Sequence, residues 1–310
     1  MKTNARLPRR AFLTRSARAT AALSLTAASA FAVDEKSPRS FSVEAGQVRG
    51  LAFSPHGELA VAADNSVLFY SLAGRKLRTV SAAQPVRCVA FDPQGRLFAG
   101  FKNQVARLGE RDALELVGAP LGGRDSALAS LALADNGDIY AADSGERLIW
   151  RMAADGKLLG QIQPADNGFT VPRAFFPIAW RNGRLVVVDP GRHQIQTWSP
   201  DGRLLAKWGE RSRDPGGFAG CCNPVGFAAL ADGTVVTAER GQPRVKQFTA
   251  DGQLRRVLAG PESFVASLQA ARAEADELLG CQAGLLDLAV SPQGAVVVLD
   301  RTTREVRVLA

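Results

Sequence analysis

The residue that most strongly suggests chemistry is Asp287, which occupies a place where a recurring motif otherwise has uncharged side chains. The motif is an apolar run ending in a turn glycine. Seven positions before the turn glycines stand Gly50, Cys88, Ser130, Phe176, Gly226 and Asp287. A carboxylate there binds a cation or polar ligand, or it accepts backbone N–H groups. The sequence leaves both interpretations open.

Four further residues complete the predicted ligand-binding set around Asp287. Asn223 and Glu239 belong to the preceding repeat and are its expected neighbours, and Arg240 and Arg173 add positive charge. Asp287, Glu239 and Asn223 offer the oxygen ligands that a hard divalent cation accepts. The motif is too loose to require a metal. We therefore predict no cofactor, with a divalent cation as the alternative.

The four cysteines raise a redox question. Cys221 and Cys222 precede one repeat and Cys281 precedes the next, so a disulfide from Cys281 to Cys221 or to Cys222 is predicted in an oxidising compartment. A vicinal Cys221–Cys222 bond is a third option. Metal or cluster binding is less favoured, because the chain has no Cys-x-x-Cys and no nearby histidine. Cys88 is expected to be a buried, small apolar residue.

Other catalytic signatures are missing from the sequence. The two histidines, His56 and His193, lie in a turn and in a variable loop. There is no Ser/His/Asp order, no HExxH, no P-loop and no haem-attachment motif. The sequence therefore does not name a reaction.

The elements that must position these residues come from an internal repeat. Each copy is an apolar run, a turn ending in glycine and a second apolar run, which is the pattern of a β-hairpin. The copies span residues 51–61, 89–98, 131–140, 178–187, 227–236 and 288–297. Glycine is needed because the turn requires a positive φ.

A second turn glycine follows most copies, as Gly74, Gly156, Gly202 and Gly252. Two hairpins in series make a four-stranded blade. The first-turn glycines are separated by 38, 42, 46, 50 and 61 residues, which is propeller spacing. We predict an all-β fold, a six-bladed β-propeller of four-stranded antiparallel blades. Its last blade lacks an outer strand, which residues 41–44 near the N-terminus are expected to supply.

An acid follows the second strand of most copies and precedes a polar loop and another apolar strand. These acids are Asp143, Asp189, Glu239 and Asp300. The pattern resembles the NHL repeat over about residues 45–310, although the first two copies depart from it. The resemblance implies a six-bladed propeller, a fold used by protein-binding and RNA-binding modules, lyases and sensor domains, with metal-dependent gluconolactonase-like hydrolases among its relatives. The acids are expected mainly to accept backbone N–H groups.

The N-terminal segment resembles a twin-arginine export signal. Arg9 and Arg10 are followed by Phe12 and Leu13, and residues 19–32 are uncharged and mildly apolar. We predict a signal peptide over residues 1–32, cleaved after Ala32, with the propeller at 33–310 in the periplasm. No later stretch is apolar enough to span a membrane. Without the signal there are 32 basic against 30 acidic residues, which gives no case for nucleic acid.

Because antiparallel strands alternate in direction, the acid-bearing loops and the connections between blades share one face. Two insertions, 157–176 and 259–284, fall on that face, and the second is expected to contain a helix packed on the blades. We therefore expect an exported, non-catalytic propeller that binds a protein partner or small ligand at the channel mouth. The alternative is a metal-dependent hydrolase or lyase of the gluconolactonase-like type, and a weaker one is an accessory protein of a periplasmic redox system. Oligomeric state stays open.

Overall fold

The computed structural model describes residues 40–171, 175–274 and 285–309. These residues form six four-stranded antiparallel sheets, arranged as the predicted six-bladed β-propeller. The signal segment 1–32, Arg173 and Cys281 lie outside the described residues. The boundaries of the domains are therefore still a prediction.

Each blade takes its strands in chain order from the channel outward, except that the first strand of the chain belongs to the last blade. The strands are β1 (Ser40–Ser42), β2 (Val48–Phe53), β3 (Leu59–Ala63), β4 (Ser66–Tyr70), β5 (Lys76–Ser81), β6 (Cys88–Phe91), β7 (Leu97–Gly100), β8 (Val105–Leu108), β9 (Leu114–Val117), β10 (Leu128–Leu133), β11 (Ile139–Asp143), β12 (Leu148–Met152), β13 (Leu158–Ile162), β14 (Ile178–Arg181), β15 (Arg184–Asp189), β16 (Gln194–Trp198), β17 (Leu204–Trp208), β18 (Gly226–Ala229), β19 (Val235–Glu239), β20 (Arg244–Phe248), β21 (Leu254–Ala259), β22 (Leu286–Val290), β23 (Val296–Asp300) and β24 (Glu305–Leu309).

The turn glycines adopt the conformation that the repeat predicts. Gly57 has φ +87° and Gly137 has φ +89°, which a residue with a Cβ rarely adopts. In the first turn Gly57 N donates to Ser54 O over 3.0 Å, and Ser54 N donates to Glu58 O over 2.9 Å. The glycine therefore closes each inner hairpin.

Burial falls from the second strand of a blade to its outer strand. Every residue of β3, β11, β19 and β23 is buried, whereas β13 and β17 are mostly exposed. The second strands are packed between neighbouring blades and are rich in Ala and Val. The core therefore lies between blades, and the outer strands form the rim.

The ring closes as the sequence predicts. Strand β1 pairs antiparallel with β24, with Phe41 opposite Val306, and Val43 N donates to Arg304 O over 2.8 Å. Phe41 also packs on Tyr70 of the first blade, with ring centroids 5.2 Å apart. The N-terminal strand thus joins the first and last blades.

The acids after the second strands organise loops, as expected. Asp143 Oδ1 accepts Ala127 N over 2.8 Å, and Asp189 Oδ1 accepts Thr170 N over 3.1 Å. Asp64 accepts Gly46 N and Gln47 N, each over 2.8 Å. In each case the acid holds the connection that enters its own blade. The backbone N–H groups that it accepts would otherwise be unpaired.

The insertion before the last blade begins with a 3-10 turn, Pro261–Phe264, followed by helix α1 (Val265–Glu274). Phe264 is fully buried among Leu286, Leu288 and other residues of the last two blades, and Ser267 Oγ donates to Asp300 Oδ1 over 3.2 Å. The described part of this insertion is therefore packed on the blades, as predicted. Within the described ranges, no helix has the length and apolarity that crossing a membrane requires.

Candidate functional site

The central channel contains a cavity of about 270 Å³, lined by residues from all six blades. Most of the lining is apolar and comes from the innermost strands. Arg181 lies at the opposite end of the channel, where β14 ends, and the other charged side chains lie where the inner strands begin, at the mouth on the face of the acid-bearing loops. Asp287, Arg301 and Arg49 lie there, and Phe175 lies beside them.

Asp287 stands at this mouth, near the start of β22. Its Oδ1 accepts Leu288 N over 2.9 Å, and it also accepts the backbone N–H of Leu51 in the first blade. A Cβ added to Gly50 would lie 3.2 Å from Asp287 Oδ2. The carboxylate therefore spans the junction between the last and first blades, and the glycine at position 50 leaves room for it.

The guanidinium of Arg301 interacts electrostatically with Asp287. Burial raises the pKa of the Asp287 carboxyl, and Arg301 opposes that rise together with the two backbone N–H groups. Burial likewise lowers the pKa of Arg301, and Asp287 opposes that change, whereas Arg49 and Arg87 reinforce it. The mouth therefore holds more positive than negative charge.

The arginines of the mouth also tie the blades together. Arg301 Nη2 donates to Arg49 O, and Arg49 Nη1 donates to Val86 O over 3.4 Å. Arg87 Nε donates to Leu128 O over 3.1 Å. Each arginine thus reaches a carbonyl of the next blade. These bonds neutralise no charge, so the mouth keeps its positive potential.

The repeat contains a sequence signal for these arginines. Arg49 and Arg87 occupy the same position in two successive repeats, just before the motif position of Asp287. Arg240 and Arg301 are equivalent in the same way, because each follows the acid of its blade. Of these four arginines, the sequence-based ligand set contained Arg240 alone.

Glu239, predicted to be a ligand, lies in a buried ion cluster of the fifth blade. It is 1% exposed, and its Oε2 accepts Arg244 Nη2 over 2.8 Å and Ala219 N over 3.1 Å. Lys246 Nζ lies 2.7 Å from Glu239 Oε1 and donates to Pro215 O and Gly217 O. Burial lowers the pKa of Lys246, and Glu239 opposes this. Both carboxylate oxygens thus face cations.

Asn223 supports the backbone of Arg240. Its Oδ1 accepts Arg240 N over 2.9 Å, and its Nδ2 donates to Arg240 O over 3.1 Å and to Ala219 O over 2.5 Å. Asn223 and Arg240 line a second cavity, of about 530 Å³, beside the channel mouth. The predicted ligand set is therefore divided between the channel, this second cavity and a buried cluster.

Among the described residues, no group of three or more His, Cys, Asp or Glu side chains is placed to hold a metal ion. Among the described residues, Asp287 is the carboxylate of the channel lining, and the positive charge of Arg301 acts on it. A hard divalent cation prefers about six to eight oxygen ligands. The channel, as described, offers a poor fit to such a cation.

The described cysteines differ in environment. Cys88 is 4% exposed, and burial raises the pKa of its thiol to about 12, so it remains a protonated apolar residue as predicted. Cys221 Sγ lies 3.0 Å from Cys222 Sγ, and Arg240 Nη2 donates to Cys222 Sγ over 2.6 Å. The predicted disulfide with Cys281 falls outside the described residues.

The histidines are not part of the channel lining. His193 is 5% exposed, and its Nε2 lies 3.1 Å from Gly220 O. His56 lies in the first glycine turn, on the other face of the propeller. Neither offers an imidazole to Asp287.

No protein-family model matches this sequence, and no curated protein sequence matches it. The fold is similar to that of solved propellers. A gluconolactonase from Xanthomonas campestris is 19% identical with a TM-score of 0.62, covering 87% of this chain and 88% of that one. A streptogramin B lyase is 14% identical with a TM-score of 0.60, covering 87% and 96%. A catalytically inactive histidine-to-alanine variant of virginiamycin B lyase from Staphylococcus aureus, with quinupristin, is 11% identical with a TM-score of 0.58, covering 87% and 83%. At these identities the similarity establishes the fold alone.

Proposed function

We propose that this chain is an exported, non-catalytic β-propeller that binds a small ligand at the mouth of its central channel. The observation that carries the proposal is that Asp287 and Arg301, an acceptor and a donor of opposite charge, both line a cavity in the middle of the ring. A pocket with an apolar wall and a few convergent polar groups is the usual form of a small-molecule site. Export follows from the resemblance of residues 1–32 to a twin-arginine signal.

The size of the channel favours a small ligand over a protein segment. A cavity of about 270 Å³ is near the lower end of the range for ligand pockets, roughly 300 to 1,000 Å³. A protein partner would have to bind the loops around the mouth instead. The resemblance to the NHL repeat is compatible with a small ligand and with a protein partner, because the fold does not fix function.

The second candidate is a metal-dependent hydrolase or lyase, favoured by the gluconolactonase and lyase neighbours. It would require oxygen ligands beyond those that the described lining supplies. It would also need a group for proton transfer, and neither histidine faces the channel. We therefore place it second.

The proposal is tested by a thermal-shift screen of sugars, sugar lactones, amino acids and dicarboxylates. A ligand of the channel should raise the melting temperature of the wild type and have much less effect on Asp287→Asn and on Arg301→Met. The control is Arg255→Met, since Arg255 is half exposed and its distance to Asp232 is 3.7 Å. Stabilisation that is equal in all four proteins, or none at all, contradicts a channel site.

A further inference from the structure

Arg240 is a buried cation without a carboxylate partner among the described residues. It is 5% exposed, and its Nε and Nη1 have no hydrogen-bond partner within the part of the chain that the structure describes. Nη2 donates only to sulfur, at 2.6 Å from Cys222 Sγ. A buried charge is strongly unfavourable unless it is paired. The structure therefore leaves this guanidinium in need of a counter-ion.

The neighbouring acid cannot supply that charge. Glu239 precedes Arg240 but is already shared between Arg244, at 2.8 Å, and Lys246, at 2.7 Å. One carboxylate thus faces two cations before Arg240 is counted. The acid-loop end of the fifth blade has an excess of buried positive charge.

The Cys222 thiol beside Arg240 is not its counter-ion either. Burial raises the pKa of the Cys222 thiol, as does its hydrogen bond with Cys221, and Arg240 only partly opposes this. Cys222 is therefore protonated at neutral pH. A thiol accepts a hydrogen bond weakly and brings no negative charge.

Arg240 forms part of the wall of an open cavity. The cavity has a volume of about 530 Å³, and its lining contains Arg213, Gln242, Asn223 and the backbone of Gly220 and Gly241. Its described lining residues include a second cation, Arg213, and no carboxylate. A positive potential from a buried guanidinium is strong here, because the surrounding protein has a low dielectric constant.

We propose that this cavity, here called the Arg240 cavity, is a binding site for the oxyanion group of a small molecule, a phosphate or a carboxylate. Arg240 supplies the buried charge, and Arg213 approaches from the exposed side. A planar guanidinium can donate two parallel N–H bonds to two oxygens of either anion. The Asn223 amide holds the Arg240 backbone in place, so the site is built before the anion arrives.

The Arg240 cavity is distinct from the channel site but adjacent to it. The ring of Phe175 lies between the two arginines, with its centroid 5.6 Å from Cζ of Arg240 and 5.3 Å from Cζ of Arg301. The inference goes beyond the proposed function, since the two sites use different arginines. Variants of each arginine can therefore separate them.

The experiment is a melting curve in millimolar inorganic phosphate, and separately in malonate, with sodium chloride balancing ionic strength. For the wild type we expect the melting temperature to rise with the logarithm of the concentration of the anion that binds. In Arg240→Gln the shift should vanish, whereas the basal melting temperature should stay or rise because an unpaired buried charge is gone. In Arg213→Gln, an exposed position, the shift should weaken while folding is unaffected. Arg255→Gln is the matched control and should keep the full shift.

Three outcomes overturn the inference. In the first, neither anion shifts the melting temperature of the wild type. In the second, the shift is the same in Arg240→Gln, which identifies a general salt effect. The third is a shift lost in Arg301→Gln but kept in Arg240→Gln, which places the anion in the channel and leaves the proposed function standing. If Arg240→Gln fails to fold, an undiminished shift in Arg213→Gln counts against the site.

Discussion

At the scale of single residues, Asp287 combines the two roles that its position suggested. It accepts backbone N–H groups across the blade junction, and it faces the channel. The departure from the repeat was visible in the sequence, but its partner was not. Arg301 is brought to it by the pairing of β22 with β23, which are neighbouring strands of the last blade.

The charge state of Asp287 gives a prediction for the pH dependence of stability. Because burial raises its folded-state pKa, the stability linked to Asp287 is fully present below the unfolded-state pKa and is lost as pH rises through the folded-state pKa. Asparagine mimics the neutral acid and carries no such dependence. The melting temperature of Asp287→Asn minus that of wild type should therefore increase from pH 4 to pH 7, as measured by calorimetry.

The control for this prediction has the opposite sign. A side-chain hydrogen bond from Thr234 lowers the pKa of exposed Asp232, so its contribution is present at neutral pH and is lost as pH falls. Asp232→Asn should thus lose stability relative to wild type as pH rises. If Asp287→Asn behaved like Asp232→Asn, attraction to Arg301 would outweigh burial and the account of the channel charge would be wrong.

At this scale, hydrogen bonds from a side chain to the backbone of its own blade could be predicted from the sequence. Hydrogen bonds from a side chain to another blade could not. The acids Asp143 and Asp189 were predicted to accept N–H groups, because a short acid before a turn needs no distant partner. Arg49 and Arg87 bond to carbonyls of the next blade, and Lys246 pairs with Glu239 inside the fifth blade. The carbonyl partners of Arg49 and Arg87 depend on how neighbouring blades pack.

At the scale of elements, the hairpin repeat predicted the fold because one turn glycine recurs in every blade. Positive φ at these glycines is a local requirement, so it can be recognised without tertiary contacts. The outer strand of the last blade was also predicted, since the final repeat lacks one. Helix α1 starts at Val265, after a 3-10 turn that the sequence pattern did not predict.

Ring closure by β1 predicts the effect of a truncation. Deletion of residues 40–46 removes the β1–β24 pairing and the packing of Phe41 on Tyr70. Losing this buried apolar surface should cost roughly 3 kcal/mol or more, which is about 5 °C in melting temperature for a domain of this size.

The control for the truncation is Leu116→Ser in outer strand β9, where Leu116 is 55% exposed. That substitution should change the melting temperature by only about 1 °C or so, since exposed sites contribute little. A truncated protein that melts with the wild type would show that the ring does not depend on its N-terminal strand.

At the scale of the whole molecule, the near balance of acids and bases outside residues 1–32 conceals an uneven distribution. Arg49, Arg87, Arg240 and Arg301 converge on one face around a single channel carboxylate. The overall charge gives no case for nucleic acid, and it cannot show this local excess of positive charge, which arises from the arrangement of the blades. The fold is shared with a gluconolactonase and with streptogramin lyases, whereas function must be argued from the channel.

The central claim is that the channel binds a ligand and is not a metal-dependent catalytic centre. The most direct test is the metal content of protein purified without chelators from its native compartment, measured by mass spectrometry for the wild type and for Asp287→Ala. We predict far less than one equivalent of calcium or zinc per chain in both proteins. About one equivalent in the wild type that is lost in Asp287→Ala would contradict the account and favour the hydrolase or lyase.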